Sequence, residues 1–115
     1  PGICRCSWLM RIPPYANLYI MAPALLILDR KLLLNDGRII QMKVWRLPEA
    51  SPERPHGLKY SLFFGRPGQR IVGYDNEAGK GDHRHYGKRE EPYSFSNLQQ
   101  LIADFEEDVR REMTK

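Results

Sequence analysis

Residues 73–93 concentrate the side chains of this chain that can do chemistry. The segment is polar and holds two of the three histidines, His83 and His85, together with several cations, three tyrosines and four glycines. Histidine titrates near neutral pH, so a His-x-His pair can supply both the base and the acid of a proton-transfer reaction. A loop that only connects two elements does not need this concentration, and we therefore expect the functional site here.

The first interpretation of the segment is cleavage of RNA without a metal ion. His83 and His85 would activate the 2′-hydroxyl and protonate the leaving oxygen, in an order that the sequence leaves open. Cations must stabilise the charge that develops on phosphorus, and the candidates are Lys80, Arg84 and Arg89. Aromatic rings that could hold unpaired bases by stacking are Tyr74, Tyr86 and Tyr93. The supporting carboxylates are Asp75 and Asp82.

The spacing also predicts how the histidines are presented. In an extended segment successive side chains point to opposite sides. His83 and His85 would then share one side, while Asp82, Arg84 and Tyr86 would lie on the other.

Two other interpretations compete with the first. A metal site is weakly supported, because His-x-His gives two ligands and zinc takes three or four protein ligands, so His56 would have to come from a distant loop. The purely structural alternative has Asp82 accepting from backbone N–H groups and the arginines pairing with Glu90 and Glu91, while the glycines allow tight turns. The glycines around Lys80 lack the order of a phosphate-binding P-loop.

Length and charge give broad limits. A chain of 115 residues has room for one domain with a modest core. Its net charge is +4; residues 96–115 hold five acidic and three basic residues, which leaves +6 for the rest. A basic body suits a polyanionic partner. The acidic face of the C-terminal helix is a weaker candidate for a partner contact.

The N-terminal residues differ from the rest of the chain. Residues 1–20 lack periodicity, and Met21 stands just before the first ordered pattern. We predict that they are an extension and that the domain comprises residues 21–115, with an extra strand at residues 17–20 as the alternative. The only cysteines, Cys4 and Cys6, form neither a disulfide framework nor a closed zinc site. With no apolar run of about 18–20 residues, no bilayer span is expected, and we predict a cytoplasmic protein without a cofactor.

The remaining pattern predicts an α+β fold. Residues 24–34 and 38–47 read as a hairpin around Asn35-Asp36-Gly37, and residues 59–64 and 70–74 read as a second one. A C-terminal helix begins at Ser96, which together with Gln99 matches a capping box. Its apolar stripe comprises Leu98, Leu101, Ile102, Phe105 and Val109. We predict a small four-stranded antiparallel β-meander packed by this helix.

The sequence resembles the TumE family of toxins. The resemblance is carried by Gly73-Tyr-Asp-Asn, Gly79-Lys-Gly-Asp-His-Arg-His-Tyr-Gly and Arg89-Glu-Glu-Pro-Tyr. Upstream, it is carried by Trp45-Arg-Leu-Pro-Glu, His56-Gly-x-Lys-Tyr60 and Gly65-Arg-x-Gly. It covers about residues 21–113 and implies a toxin held inactive by a helix-turn-helix antitoxin, TumA, encoded beside it. It does not supply a mechanism.

The residues and the resemblance together favour a toxin that acts on RNA as a metal-independent endoribonuclease. In that hypothesis His83 and His85 are acid and base, Lys80 and Arg84 stabilise phosphate charge, and Tyr86 positions the RNA. The alternative is a binding module without chemistry, which docks on nucleic acid or protein, blocks its target and is neutralised by the antitoxin.

Overall fold

The computed structural model describes residues 24–77 and 79–115. The predictions for residues 1–20, including the alternative strand at 17–20, lie outside the described residues. Within them, the order of elements is six strands followed by one helix. The strands are β1 (Leu25–Leu33), β2 (Ile39–Arg46), β3 (Leu58–Arg66), β4 (Gln69–Asp75), β5 (His83–Tyr86) and β6 (Arg89–Pro92), and the helix is α1 (Leu98–Met113).

The six strands form one antiparallel sheet in sequential order. The predicted α+β class with a C-terminal helix is confirmed, but the predicted number of four strands is wrong. The polar segment that follows the fourth predicted strand contributes β5, which pairs with β4, and β6, which pairs with β5. A two-residue turn joins them, and its first residue, Gly87, has φ 62°, a conformation that glycine adopts without strain.

One face of the sheet carries the core. Alternate residues of β2, β3 and β4 point toward α1 and bury their side chains against it. The buried apolar side chains from the sheet include Met42, Val44, Tyr60, Leu62, Phe64, Val72 and Tyr74, and those from the helix are Leu101, Phe105 and Val109. We call this the helix face of the sheet and the opposite one the open face.

The N-cap of the helix lies one residue later than predicted. Asn97 is the N-cap, and its Oδ1 accepts from the backbone N–H of Gln100 at 2.8 Å. Ser96 therefore precedes the cap, although either residue type can cap a first turn. Among the described residues, no helix has both the length and the apolar character needed to cross a membrane.

Candidate functional site

The pairing of β4 with β5 brings the two histidines of the chemical segment to the open face. His83 lies opposite Asp75 and His85 lies opposite Gly73. Opposed residues of an antiparallel pair point to the same face, and so do residues two apart in one strand. The histidines therefore share one side, as the alternation predicted. The name open-face cluster is used for six residues: Arg70, Asp75, Lys80, His83, His85 and Glu90.

His83 is held in one tautomer by the backbone. Its Nδ1 lies 3.0 Å from the carbonyl oxygen of Gly81. A carbonyl can only accept, so Nδ1 carries the proton and, in the neutral ring, Nε2 carries the lone pair. Nε2 is 3.8 Å from Glu90 Oε1, and the side chain is 18% exposed. The basic nitrogen of His83 is thus oriented, and the side chain that carries it is partly exposed.

Lys80 approaches the same carboxylate. Its Nζ lies 3.8 Å from Oε1 of Glu90, the atom that faces His83 Nε2. The lysine side chain is 65% exposed and that of Glu90 is 37% exposed. One anionic oxygen therefore lies 3.8 Å from both a basic ring nitrogen and an ammonium group.

His85 has a different environment from His83. Its Nδ1 is 3.0 Å from Nη2 of Arg70, and since a guanidinium can only donate, Nδ1 accepts and the neutral ring carries its proton on Nε2. Nε2 lies 3.2 Å from Oδ2 of Asp75, but the angles do not make a hydrogen bond, and it has no other partner among the described residues. The side chain is 9% exposed, so His85 lies nearly buried, bonded to Arg70 and beside Asp75.

Arg70 is the member of the cluster that sequence reasoning missed. It stands at the start of a strand for which the sequence pattern indicated only a structural role. The signal that could have indicated it is Gly73, because a glycine inside a strand often marks a close approach by another group.

The predicted cation Arg84 lies on the helix face, away from the histidines. Its Nε donates to Oε1 of Glu91 at 2.6 Å. The guanidinium groups of Arg84 and Arg89 lie 5.6 Å and 5.0 Å from the centre of the Tyr86 ring. The sheet therefore separates Arg84, Tyr86 and Arg89 from the open-face cluster. They line a polar pocket beside the C-terminal turn of α1.

Two of the predicted base-stacking tyrosines belong to the core. Tyr74 is 1% exposed and Tyr93 is 9% exposed. The Tyr74 hydroxyl donates to Oδ2 of Asp108 at 2.5 Å, and the Tyr93 hydroxyl donates to Oδ2 of Asp104 at 2.6 Å. Burial is the main reason that the pKa of each tyrosine is raised, with the nearby carboxylate adding to it. Neither ring is exposed for stacking, and both anchor α1 to the sheet.

Asp82 lies with the helix-face residues, where it accepts from side chains. The hydroxyl of Tyr60 donates to its Oδ1 at 2.6 Å, and Nε2 of His56 lies 3.1 Å from the same atom. The other ring nitrogen of His56 accepts from the backbone N–H of Leu58 at 3.1 Å, and the ring packs 4.0 Å from that of Phe95 between centres. Both nitrogens of His56 are occupied, so this pair fixes the loop before β3 and the start of β5.

The ligand-type side chains of the described ranges do not converge on one point. In residues 24–77 and 79–115, no group of three or more His, Cys, Asp and Glu residues is placed to hold a metal ion. The side chains of the open-face cluster are of types that can transfer protons and stabilise charge.

The fold and the cluster define a small α+β protein with a polar site on the uncovered face of its sheet. A family model described as Toxin TumE matches residues 24–113. The chain belongs to the TumE toxin family, and a toxin of this kind has an antitoxin as its partner. A search of the curated proteins and a search of the solved structures found no match.

Proposed function

We propose that this toxin is a metal-independent endoribonuclease whose active site is the open-face cluster. The observation that carries the proposal is the arrangement around Glu90. The basic Nε2 of His83, oriented by Gly81, and the ammonium group of Lys80 both face one carboxylate oxygen at 3.8 Å. That oxygen marks a position where an anionic phosphate oxygen would be held between a base and a cation.

The proposed reaction is an internal transesterification of RNA. Nε2 of His83 removes the proton from a 2′-hydroxyl, and the 2′-oxygen attacks the adjacent phosphorus. The bond from phosphorus to the 5′-oxygen breaks, and that oxygen takes a proton from the ammonium group of Lys80. The products are a 2′,3′-cyclic phosphate and a 5′-hydroxyl end. Glu90 lies at the protein surface and gives up its position to the phosphate when RNA binds.

Arg70 supplies the second cation in this proposal. Its side chain is 38% exposed and it contacts His85 and Asp75, the latter at 3.8 Å. A fixed guanidinium stabilises charge on a phosphate better than a mobile one, because less ordering is needed when the substrate arrives. The ring of His85 is nearly buried, so we assign it the role of positioning Arg70. We therefore assign the phosphate-binding role that the sequence suggested for Arg84 to Arg70, because Arg70 lies on the same face of the sheet as the histidines.

RNA as substrate implies action in the cytoplasm, and we propose that the antitoxin is of the helix-turn-helix, TumA-like type that the family resemblance implies. The basic charge of the chain, +4, supports a polyanionic target. RNA binding would then weaken as salt increases.

The test compares two substitutions with one control. His83→Asn keeps an N–H group able to bond the Gly81 carbonyl but has no basic nitrogen in place of Nε2. Lys80→Ala removes the proposed acid, and Lys88→Ala removes another exposed lysine in the neighbouring β5–β6 turn. The chain would be expressed with and without its antitoxin, and cellular RNA would be followed by primer extension.

We expect cleavage products in the presence of EDTA, with 2′,3′-cyclic phosphate and 5′-hydroxyl ends. His83→Asn should lower the cleavage rate by about 100-fold or more, as loss of a general base does, and Lys80→Ala should lower it as well. Lys88→Ala should cleave normally. If the His83→Asn protein is folded and inhibits growth as strongly as the unmodified toxin, the assignment of His83 as the base is wrong. Inhibition without any RNA product would favour the docking module instead.

A further inference from the structure

The strand β1 forms an exposed apolar edge of the sheet. Within the described residues, its strand neighbour is β2 alone. Eight of its nine residues are exposed. The exposed fractions of its apolar side chains are 59% for Leu25, 49% for Leu26, 39% for Ile27, 56% for Leu32 and 69% for Leu33. A long apolar edge strand with free backbone groups is a ready template for another strand.

The opposite edge of the sheet is protected in the usual ways. β6 has four residues, ends in Pro92 and carries charges at its other three positions. Short length, charge and proline all discourage pairing with another chain. β1 also carries three charges, at residues 29–31, but it is longer, has no proline and exposes five apolar side chains.

The sequence of β1 is self-complementary on the two sides of Arg30. In an antiparallel pairing of two copies with Arg30 at the centre, Asp29 of each copy faces Lys31 of the other. The flanking apolar pair is Leu28 with Leu32, which the two-fold symmetry forms twice. Opposite charges and apolar pairs across strands each stabilise such a contact. The two Arg30 side chains face each other at the two-fold axis, so one like-charge pair is flanked by two opposite-charge pairs. Registers centred on Asp29 or Lys31 would also bring two like charges together, and they would form no Asp29–Lys31 pair.

A groove beside this edge adds apolar surface. It lies between the sheet and the second half of α1 and has a volume of about 780 Å³. Its walls include Leu32 and Met42 from the sheet and Phe105, Val109 and Met113 from the helix. Since β1 lines the groove, a strand added at that edge would bring further side chains to its rim.

We propose that β1 is the dimer interface of this toxin and that its occupant is β1 of a second copy. The two strands pair antiparallel about Arg30, and the two sheets join into one of twelve described strands. The Asp29–Lys31 pairs, formed twice by the two-fold symmetry, set the register. The bulge between Leu26 and Leu28 limits the regular part of the contact to residues 28–32.

A charge-swap experiment tests both the interface and its register. The full 115-residue chain would be studied by sedimentation over a range of concentrations. Asp29→Lys places like charges across both symmetric pairs, and so does Lys31→Asp. We expect each to raise the dimer Kd about tenfold or more, which corresponds to about 1.4 kcal/mol. The double variant D29K/K31D restores opposite charges and should return the Kd to near the original value.

Within the chain, Asp29 also faces Lys43 on β2, so the thermal stability of each variant must be measured in parallel. If the double variant restores the Kd, the effect of the single swaps was on dimerisation and not on folding. The reason is that the pair between residue 29 and Lys43 remains disrupted in the double variant. Lys88→Asp, a charge change in the β5–β6 turn, is the control and should leave the Kd unchanged.

Three results would overturn the proposal. The first is a monomer at every concentration up to the millimolar range, with β1 covered only when the antitoxin is added. The second is a full-length monomer that dimerises only when residues 1–23 are removed, since that segment would then be the occupant of the edge. The third is a dimer whose Kd does not respond to either single swap.

Discussion

Arg70 reaches His85 across the bare backbone of Gly73. A Cβ atom at position 73 would lie 2.5 Å from Cδ of Arg70 and 3.3 Å from its Nε. The first distance is shorter than two carbon atoms tolerate, so any side chain there must displace the arginine. Glycine at this strand position is therefore a requirement of the open-face cluster.

Substitution of Gly73 by alanine should separate activity from stability. Gly73→Ala moves Arg70 away from His85, so we expect RNA cleavage to fall about tenfold, while the free energy of unfolding changes by no more than about 1 kcal/mol. Arg70→Ala should give a similar loss of cleavage. In the double variant the two losses should not add, because both act through one contact. Additive losses would contradict this link.

Asp108 should be among the most sensitive positions for stability. It is 3% exposed, and its Oδ2 accepts from the hydroxyls of Tyr74 and Tyr86 at 2.5 Å and 2.7 Å. Asp108→Ala leaves both donors without this acceptor, and we expect a loss of about 3 kcal/mol in urea unfolding. Glu107→Ala, at the exposed neighbouring position, should change stability by less than about 0.5 kcal/mol. Equal effects would show that the carboxylate does not anchor the helix.

The position of the N-cap can be tested directly. Asn97→Ala removes the acceptor for the Gln100 N–H and should lower stability by about 1 kcal/mol. Ser96→Ala should be close to neutral, since that residue lies one position before the cap. A larger loss at Ser96 than at Asn97 would restore the capping box that the sequence suggested.

Stability should decrease on the alkaline side. Burial raises the pKa of Tyr60, Tyr74 and Tyr93 in the folded protein, whereas tyrosine in an unfolded chain titrates near pH 10. The unfolded state therefore loses its tyrosine protons first. The contribution of these tyrosines to the free energy of unfolding is fully present below about pH 10 and is lost as the pH rises above that value. The urea concentration at the unfolding midpoint should decrease as the pH is raised from about 9 to about 11. Tyrosinate absorbance should increase in the same transition as unfolding. A constant midpoint would contradict this.

Much of the fold could be predicted because its signals are local. The alternation in residues 38–47 and the turn at Asn35-Asp36-Gly37 were enough to place the first hairpin, and the apolar stripe was enough to identify the helix. The strands β5 and β6 were missed for a physical reason. Four-residue strands with polar side chains on both faces carry no alternation of hydrophobicity, so they resemble a loop.

The types of residue in the segment indicated where the candidate site should lie, but only part of its arrangement could be predicted. The alternation correctly placed His83 and His85 on one side, because it depends on backbone geometry alone. Which cation reaches them depends on strand register, which pairs Gly73 with His85 and so favours Arg70 over Arg84. Burial of Tyr74 and Tyr93 could not be read from the sequence either, because tyrosine serves equally well in cores and at binding surfaces.

The β5 strand uses its odd and even positions for different purposes. His83 and His85 serve the open face, while Arg84 and Tyr86 serve the helix face. Inserting or deleting a single residue within the strand would exchange the two sets, moving the histidines against the helix and the arginine into the site. A change of two residues would preserve their sides. Natural and engineered variants of this toxin should therefore tolerate insertions or deletions of two residues in β5. Insertions or deletions of one residue should abolish the site.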